Sequence, residues 1–150
     1  MNAHTQTGQT ARRGWMSTLA KAAPARLAEL MPDLPVLEQL RPPEVGAVMV
    51  RGRIGATGAP FNLGEMTVTR CSVRLTGGAV GHGYVQGRDK AHSLRAAALD
   101  ALMQTDQAAR IQRTVLDILT AEADATRARR AEKAAATKVD FFTMVRGEDA

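Results

Sequence analysis

An α+β fold follows from three features of the chain: a helical apolar stripe near the N-terminus, valine- and threonine-rich segments around a Gly-Gly pair in the middle, and helical periodicity again in the last third. They predict a small antiparallel sheet of about three or four strands. N-terminal helices precede it and two C-terminal helices follow, the last projecting as an arm. The 150 residues suit one domain able to bury a core without disulfides or metals.

Residues 1–10 are polar and read as a disordered lead-in. From Ala11 to Ala23 the spacing is helical, with Trp15, Leu19 and Ala22 on one stripe and Met16 and Ala23 beside it. Pro24 breaks or restarts the helix at Ala25–Met31, and Pro32 and Pro35 end it. Val36–Leu40 reads as a short turn before Pro42-Pro43, which forces an extended entry. Strands are predicted over Glu44–Ile54, Glu65–Leu75 and Ala79–Gln86, with a flexible loop at Gly55–Pro60.

Gly77-Gly78 is a two-residue hairpin signal. Such a loop pairs Leu75 with Val80, Val73 with His82 and Cys71 with Tyr84 on one face. On the other it pairs Arg74 with Gly81, Ser72 with Gly83 and Arg70 with Val85.

Asp89 is positioned to cap a helix running to about Gln104, with Ala91, Leu94, Ala98, Ala101 and Leu102 as its buried stripe. A second helix starts near Asp106 and carries Ile111, Val115, Ile118, Leu119 and Glu122 in register. Beyond it the chain turns to alanine and charge, so the helix continues with nothing large to bury. The organisation is then a lead-in over 1–10, one domain with its helical arm over 11–136, and an apolar tail over 137–150.

The formal net charge of +5 favours acidic partners: anionic ligands, acidic protein surfaces or nucleic acid. Aromatic residues are only 3% of the chain, too few for the stacking platforms of single-strand readers, so nucleic acid is the weaker alternative. The lone Cys71 rules out an intramolecular disulfide, and His4, His82 and His92 lack ligand spacing, so no metal or cofactor is expected on this chain. A reducing cytoplasm suits this content, and no apolar run approaches a membrane span. Neither a carboxylate pair nor a nucleophile-elbow pattern appears, and no catalytic residue is assigned.

The residues that could meet an anion are Arg70 and Arg74, beside glycines in the expected hairpin, with Arg51 and Arg53 on one face of the first strand. An open cationic sheet face suits a phosphate, a phosphonate or a partner's carboxylates, since guanidinium binds oxyanions in a fork. The alternative is an ordinary solvated face. Arg88 and Lys90 flank a helix start, where an anion would meet the positive dipole end; the alternative there is a capped helix with two exposed cations. Cys71 reads as an inert core thiol, His82 as a partly buried strand residue and His92 as solvent-facing. In the tail, Val139, Phe141, Phe142, Met144 and Val145 follow an arm with few apolar anchors. They either fold back on their own domain or dock on a partner.

Five blocks in this order carry a resemblance: Arg13-Gly14-Trp15-Met16, Leu63 to Arg70, Gly87-Arg88-Asp89-Lys90, Asp100 to Gln104 and the tail Lys138 to Gly147. Together they resemble the G-subunit (PhnG) family of the bacterial carbon–phosphorus lyase core complex, over about Ala11 to Asp149. The resemblance implies a non-catalytic structural or activating subunit assembled with H, I and J subunits in the cytoplasm. With an L subunit, the complex displaces the purine base of ATP or GTP by an alkylphosphonate, giving a ribose 1-phosphonate 5-triphosphate. It also implies that the later C–P cleavage belongs to the J subunit, whose iron–sulfur cluster and S-adenosylmethionine lie on that partner.

Overall fold

The computed structural model describes residues 3–138, with side chains from Gly8 onward. In chain order they form α1 (Ala3–Lys21), α2 (Pro24–Leu30), β1 (Leu37–Arg53), a 3-10 turn (Ile54–Ala56), β2 (Pro60–Leu75), β3 (Val80–Gln86), α3 (Lys90–Leu102), α4 (Ala108–Ile111), a π-helical turn (Gln112–Leu116) and α5 (Asp117–Ala136). The three strands make one antiparallel sheet in the order β1-β2-β3. The chain divides into two compact units, 1–120 and 121–150. The tail candidates Val139, Phe141, Phe142, Met144 and Val145 lie outside the described residues.

α1 reaches back to Ala3, into the segment expected to be disordered. Leu19 is its buried anchor, with Trp15 packed on the core. Pro24 opens α2, where its missing N–H costs nothing, and Leu27 is buried beneath it.

β1 begins at Leu37, seven residues ahead of expectation, and runs through Pro42-Pro43 rather than waiting for them. The strand tolerates both prolines because it is the sheet edge and its register shifts between Gln39 and Arg41 and between Arg41 and Glu44. The turn expected at Val36–Leu40 is therefore mostly strand. β1 and β2 extend together beyond β3 as a two-stranded ribbon closed by the turn at Ile54–Gly58.

Alternation along β2 puts Thr69, Cys71, Val73 and Leu75 in the interior and Arg70 and Arg74 outside, as expected. Cross-strand partners differ from expectation by one residue: Arg74 faces Val80, Val73 faces Gly81, Ser72 faces His82, Cys71 faces Gly83 and Arg70 faces Tyr84. The turn explains the slip. Gly78 N–H donates to Leu75 O at 2.8 Å and Leu75 N–H to Ala79 O at 2.9 Å, and only Gly78 of the pair has positive φ, at 89°. This is a three-residue turn ending in a glycine bulge, not the two-residue primed turn. Gly81 and Gly83 consequently face inward with Val73 and Cys71, and α3 lies against them. A Cβ on Gly81 would meet the Ala97 carbonyl and Ala101, and one on Gly83 the Ser93 carbonyl.

α3 starts where expected, with the Asp89 carboxylate accepting from His92 N–H at 2.8 Å. Of the expected stripe, Ala98, Ala101 and Leu102 are buried and Leu94 is partly so, while Ala91 is exposed; the buried face also takes in Ser93 and Ala97, and the helix comes close to the strand glycines at Ser93, Ala97 and Ala101. The C-terminal helix buries Ile111, Val115, Leu116 and Leu119. The π turn inserts one residue into the helical repeat, so adjacent Val115 and Leu116 are both covered. In the second unit the described helix is exposed apart from a half-covered Thr126. It carries an Arg127–Asp124 pair at 2.7 Å and a Thr126 hydroxyl donating to Glu122 O at 2.9 Å.

Candidate functional site

On the outer face of the sheet, Arg70, Ser72 and Arg74 of β2 alternate with Tyr84, His82 and Val80 of β3. Tyr84 is 45% exposed, and the His82 ring sits 2.9 Å from the Ser72 hydroxyl through Nδ1. Glutamates of β1 complete the row in register, Glu38 beside Arg74 and Glu44 beside Arg70. Arg74 donates to Glu38 at 3.3 Å, and Glu44 lies 3.8 Å from Arg41. Those are exposed pairs, each worth about 0–1 kcal/mol, and of the hairpin arginines it is Arg74 whose charge is paired in this way. The Arg70 guanidinium reaches over Gly46, 3.7 Å from where a Cβ would stand. Room above the sheet thus lies over Gly46, whereas Gly81 and Gly83 are filled by α3.

The register separates the four strand arginines. Val48 and Val50 pair with Met66 and Gly64 on the face that carries Arg70, so Arg51 and Arg53 stand on the opposite face of the ribbon with Val45 and Met49. Arg53 donates to Gly58 O at 3.1 Å and braces the ribbon turn. In that turn Gly58 N–H already donates to Ile54 O at 2.9 Å, and Ala56 takes the left-handed conformation. At the start of α3, Arg88 and Lys90 are exposed, and the position an anion would take is filled by the Asp89 carboxylate. The structure therefore does not gather the six cationic candidates into one site.

Sequence reading missed the polar centre of the fold, Asp100. Its carboxylate is fully buried and accepts four hydrogen bonds: from Arg12 Nε at 3.1 Å and Nη2 at 2.7 Å, from Trp15 Nε1 at 2.8 Å, and from His82 N–H at 2.9 Å. Arg12 and Gln104 also donate to Val80 O, at 3.3 and 2.8 Å. The outward backbone groups of β3 at Val80 and His82 are thus satisfied by side chains of α1, α3 and the turn after α3, which cap the start of that sheet edge. The available signal was an aspartate inside the apolar run Ala96–Met103, where a charge survives only if paired. Two of the blocks that carried the family resemblance, around Trp15 and from Asp100, meet here. A recess of about 210 Å³ beside this centre is lined by Met16, Ala20, His82 and Tyr84 among others.

His92 is buried, not solvent-facing, with Nε2 2.8 Å from Leu19 O. A carbonyl only accepts, so this nitrogen carries the proton, and the contact satisfies a carbonyl near the end of α1. Cys71 is buried as expected, and desolvation pushes its thiol pKa up. The neutral thiol suits the fold below the ordinary cysteine pKa, and that contribution is lost as pH rises through the higher folded value. Native protein at neutral pH is expected to resist maleimide labelling, with Cys71 reacting once denaturant unfolds the chain; rapid labelling of native protein contradicts the burial.

Among the described residues, no group of three or more His, Cys, Asp or Glu side chains could hold a metal ion, and no helix is long and apolar enough to cross a membrane.

The family model described as phosphonate metabolism protein PhnG matches residues 10–147. The chain is 48% identical over 145 residues to alpha-D-ribose 1-methylphosphonate 5-triphosphate synthase subunit PhnG of Rhizobium meliloti (strain 1021), covering 95% of this chain and 93% of that relative. The chain belongs to the PhnG family.

Proposed function

We propose that this chain is a structural or activating subunit of a ribose 1-methylphosphonate 5-triphosphate synthase, assembled in the cytoplasm with H, I and J subunits and working with an L subunit. The observation that carries the reading is the near full-length similarity to a synthase subunit. The complex displaces the purine base of ATP or GTP by an alkylphosphonate. This chain contributes surfaces to the assembly, and the reacting groups come from its partners. The iron–sulfur cluster and S-adenosylmethionine of the later cleavage likewise belong to a partner.

Within the assembly, Arg70 and the other cationic candidates face either substrate or partner carboxylates, and the tail 139–145 docks on a neighbouring subunit. Burying each of Phe141 and Phe142 would contribute roughly 1.5–3 kcal/mol.

Reconstitution tests this. The isolated chain is expected to release no base from ATP with methylphosphonate. Omitting it from the reconstituted set is expected to abolish coupling, and a chain ending at Lys138 to keep its own melting temperature yet assemble poorly. Full coupling without this chain would remove the reading; a truncated chain that melts early but assembles normally would remove only the tail's role.

A further inference from the structure

The two edges of the sheet are treated differently. The β3 edge is capped at its start, where the Asp100 carboxylate accepts from His82 N–H and Arg12 and Gln104 donate to Val80 O. β1 has a strand neighbour only on its β2 side, so the backbone groups along its other side lack a strand among the described residues. Pro42 and Pro43 protect the first part of that edge, because proline cannot donate to an added strand. From Glu44 to Arg53 there is no proline, and pairing with β2 is regular from Glu44 to Val50. A long regular edge of this kind is a template for strand addition.

The side chains of this segment are apolar where water would favour polar ones. Val45 and Met49 are exposed on one face, Met49 to 56%, and Ile54 and Leu63 are exposed at the ribbon end. A two-stranded ribbon is marginal in water by itself, so covering these residues stabilises it as well as the assembly. Charge indicates the occupant. Arg51 and Arg53 follow Val45 and Met49 on the same face, and the acid on that face is Glu65, opposite Met49. An incoming strand with carboxylates facing the two arginines complements this order; a cationic strand is repelled.

Resting on the subunit reading above, we propose that β1 from Glu44 to Arg53 takes an added strand from another subunit of the synthase. That strand is an extended segment with apolar residues against Val45 and Met49 and carboxylates opposite Arg51 and Arg53.

Hydrogen exchange on the full chain, free and in the complex recovered with its partner subunits, tests the assignment. Amides of Glu44–Arg53 that exchange freely in the free chain are expected to slow about tenfold or more in the complex. The variant Met49→Glu/Arg51→Glu is expected to keep the melting temperature of the free chain and lower partner recovery about tenfold at low salt. Arg113→Glu, exposed and elsewhere in the chain, is expected to recover partners normally. A wild-type complex in which Glu44–Arg53 exchange as in the free chain overturns the proposal. Slow exchange already in the free chain also overturns it, because the edge is then filled by the chain itself or a second copy. A wild-type chain that recovers no partner subunit overturns the subunit reading, and the edge assignment with it.

Discussion

Replacing Asp100 by alanine is expected to lower the stability of the chain by about 3–5 kcal/mol, because it strands the donors that converge on one buried carboxylate. Arg12 loses its charge partner, the Trp15 indole N–H its acceptor, and the edge of β3 the group that satisfies His82 N–H. For a chain of this length that is a fall in melting temperature of roughly 10 °C. Asp100→Asn separates shape from charge. The amide fits the space but turns two hydrogens toward donors, so most of the loss remains. Thermal melts of both variants with Arg12→Ala, read as a double-mutant cycle, measure the Arg12–Asp100 coupling directly. A loss below about 1 kcal/mol for Asp100→Ala would mean that water replaces the carboxylate and that the centre is not structural.

A single methyl group is expected to act as strongly at Gly81 or Gly83. The added Cβ at Gly81 would meet the carbonyl oxygen of Ala97 and stand 2.5 Å from Ala101 N; at Gly83 it would meet the carbonyl of Ser93. Both obstacles are backbone, so relief requires α3 to lift from the sheet. The expected cost is about 3 kcal/mol for each substitution, at the upper end for overpacking. Gly77→Ala is the matched control, since nothing lies within 4 Å of its Cβ position. It is expected to change stability by less than about 0.5 kcal/mol. Equal melting temperatures for the Gly77 and Gly81 variants would show that α3 does not press on Gly81.

These glycines also mark the limit of what the sequence discloses. Strand faces were legible because alternation is a property of the strand alone: Arg70 and Arg74 outside, Val73 and Leu75 inside. Cross-strand partners depend on the turn, and Gly77-Gly78 is compatible with both a primed turn and a bulged one. The bulged turn moved every pair by one, and glycines that read as space for an anion became the seat of a helix. The cap at Asp89 was legible because it is local, three residues from its donor. Asp100 was not, since its partners come from α1 and β3, and no local pattern names them. The same holds for His92, whose partner is the Leu19 carbonyl. Family membership was legible from ordered blocks of residues, even though the meeting of two of them, through Trp15 and Asp100, appears only in three dimensions.

The closure of the β3 edge also bears on the order in which the chain folds. Arg12 and Asp100 are 88 positions apart and His92 and Leu19 are 73 apart, whereas Ser93 reaches the Gly83 carbonyl across 10. Local contacts cost less loop entropy to form, so the β3–α3 unit with β2 is expected to assemble first and α1 to dock late. On the ribosome the sequence is reversed: α1 emerges first and has no seat until α3 has followed it out. During that interval β3 lacks its side-chain closure and both edges of the young sheet are open to neighbours. Asp100 and Gln104 arrive with α3 and cap the start of that edge, and docking of α1 then brings Arg12 and Trp15 to the Asp100 carboxylate, which makes the N-terminal helix the latch of the polar centre as well as part of the core.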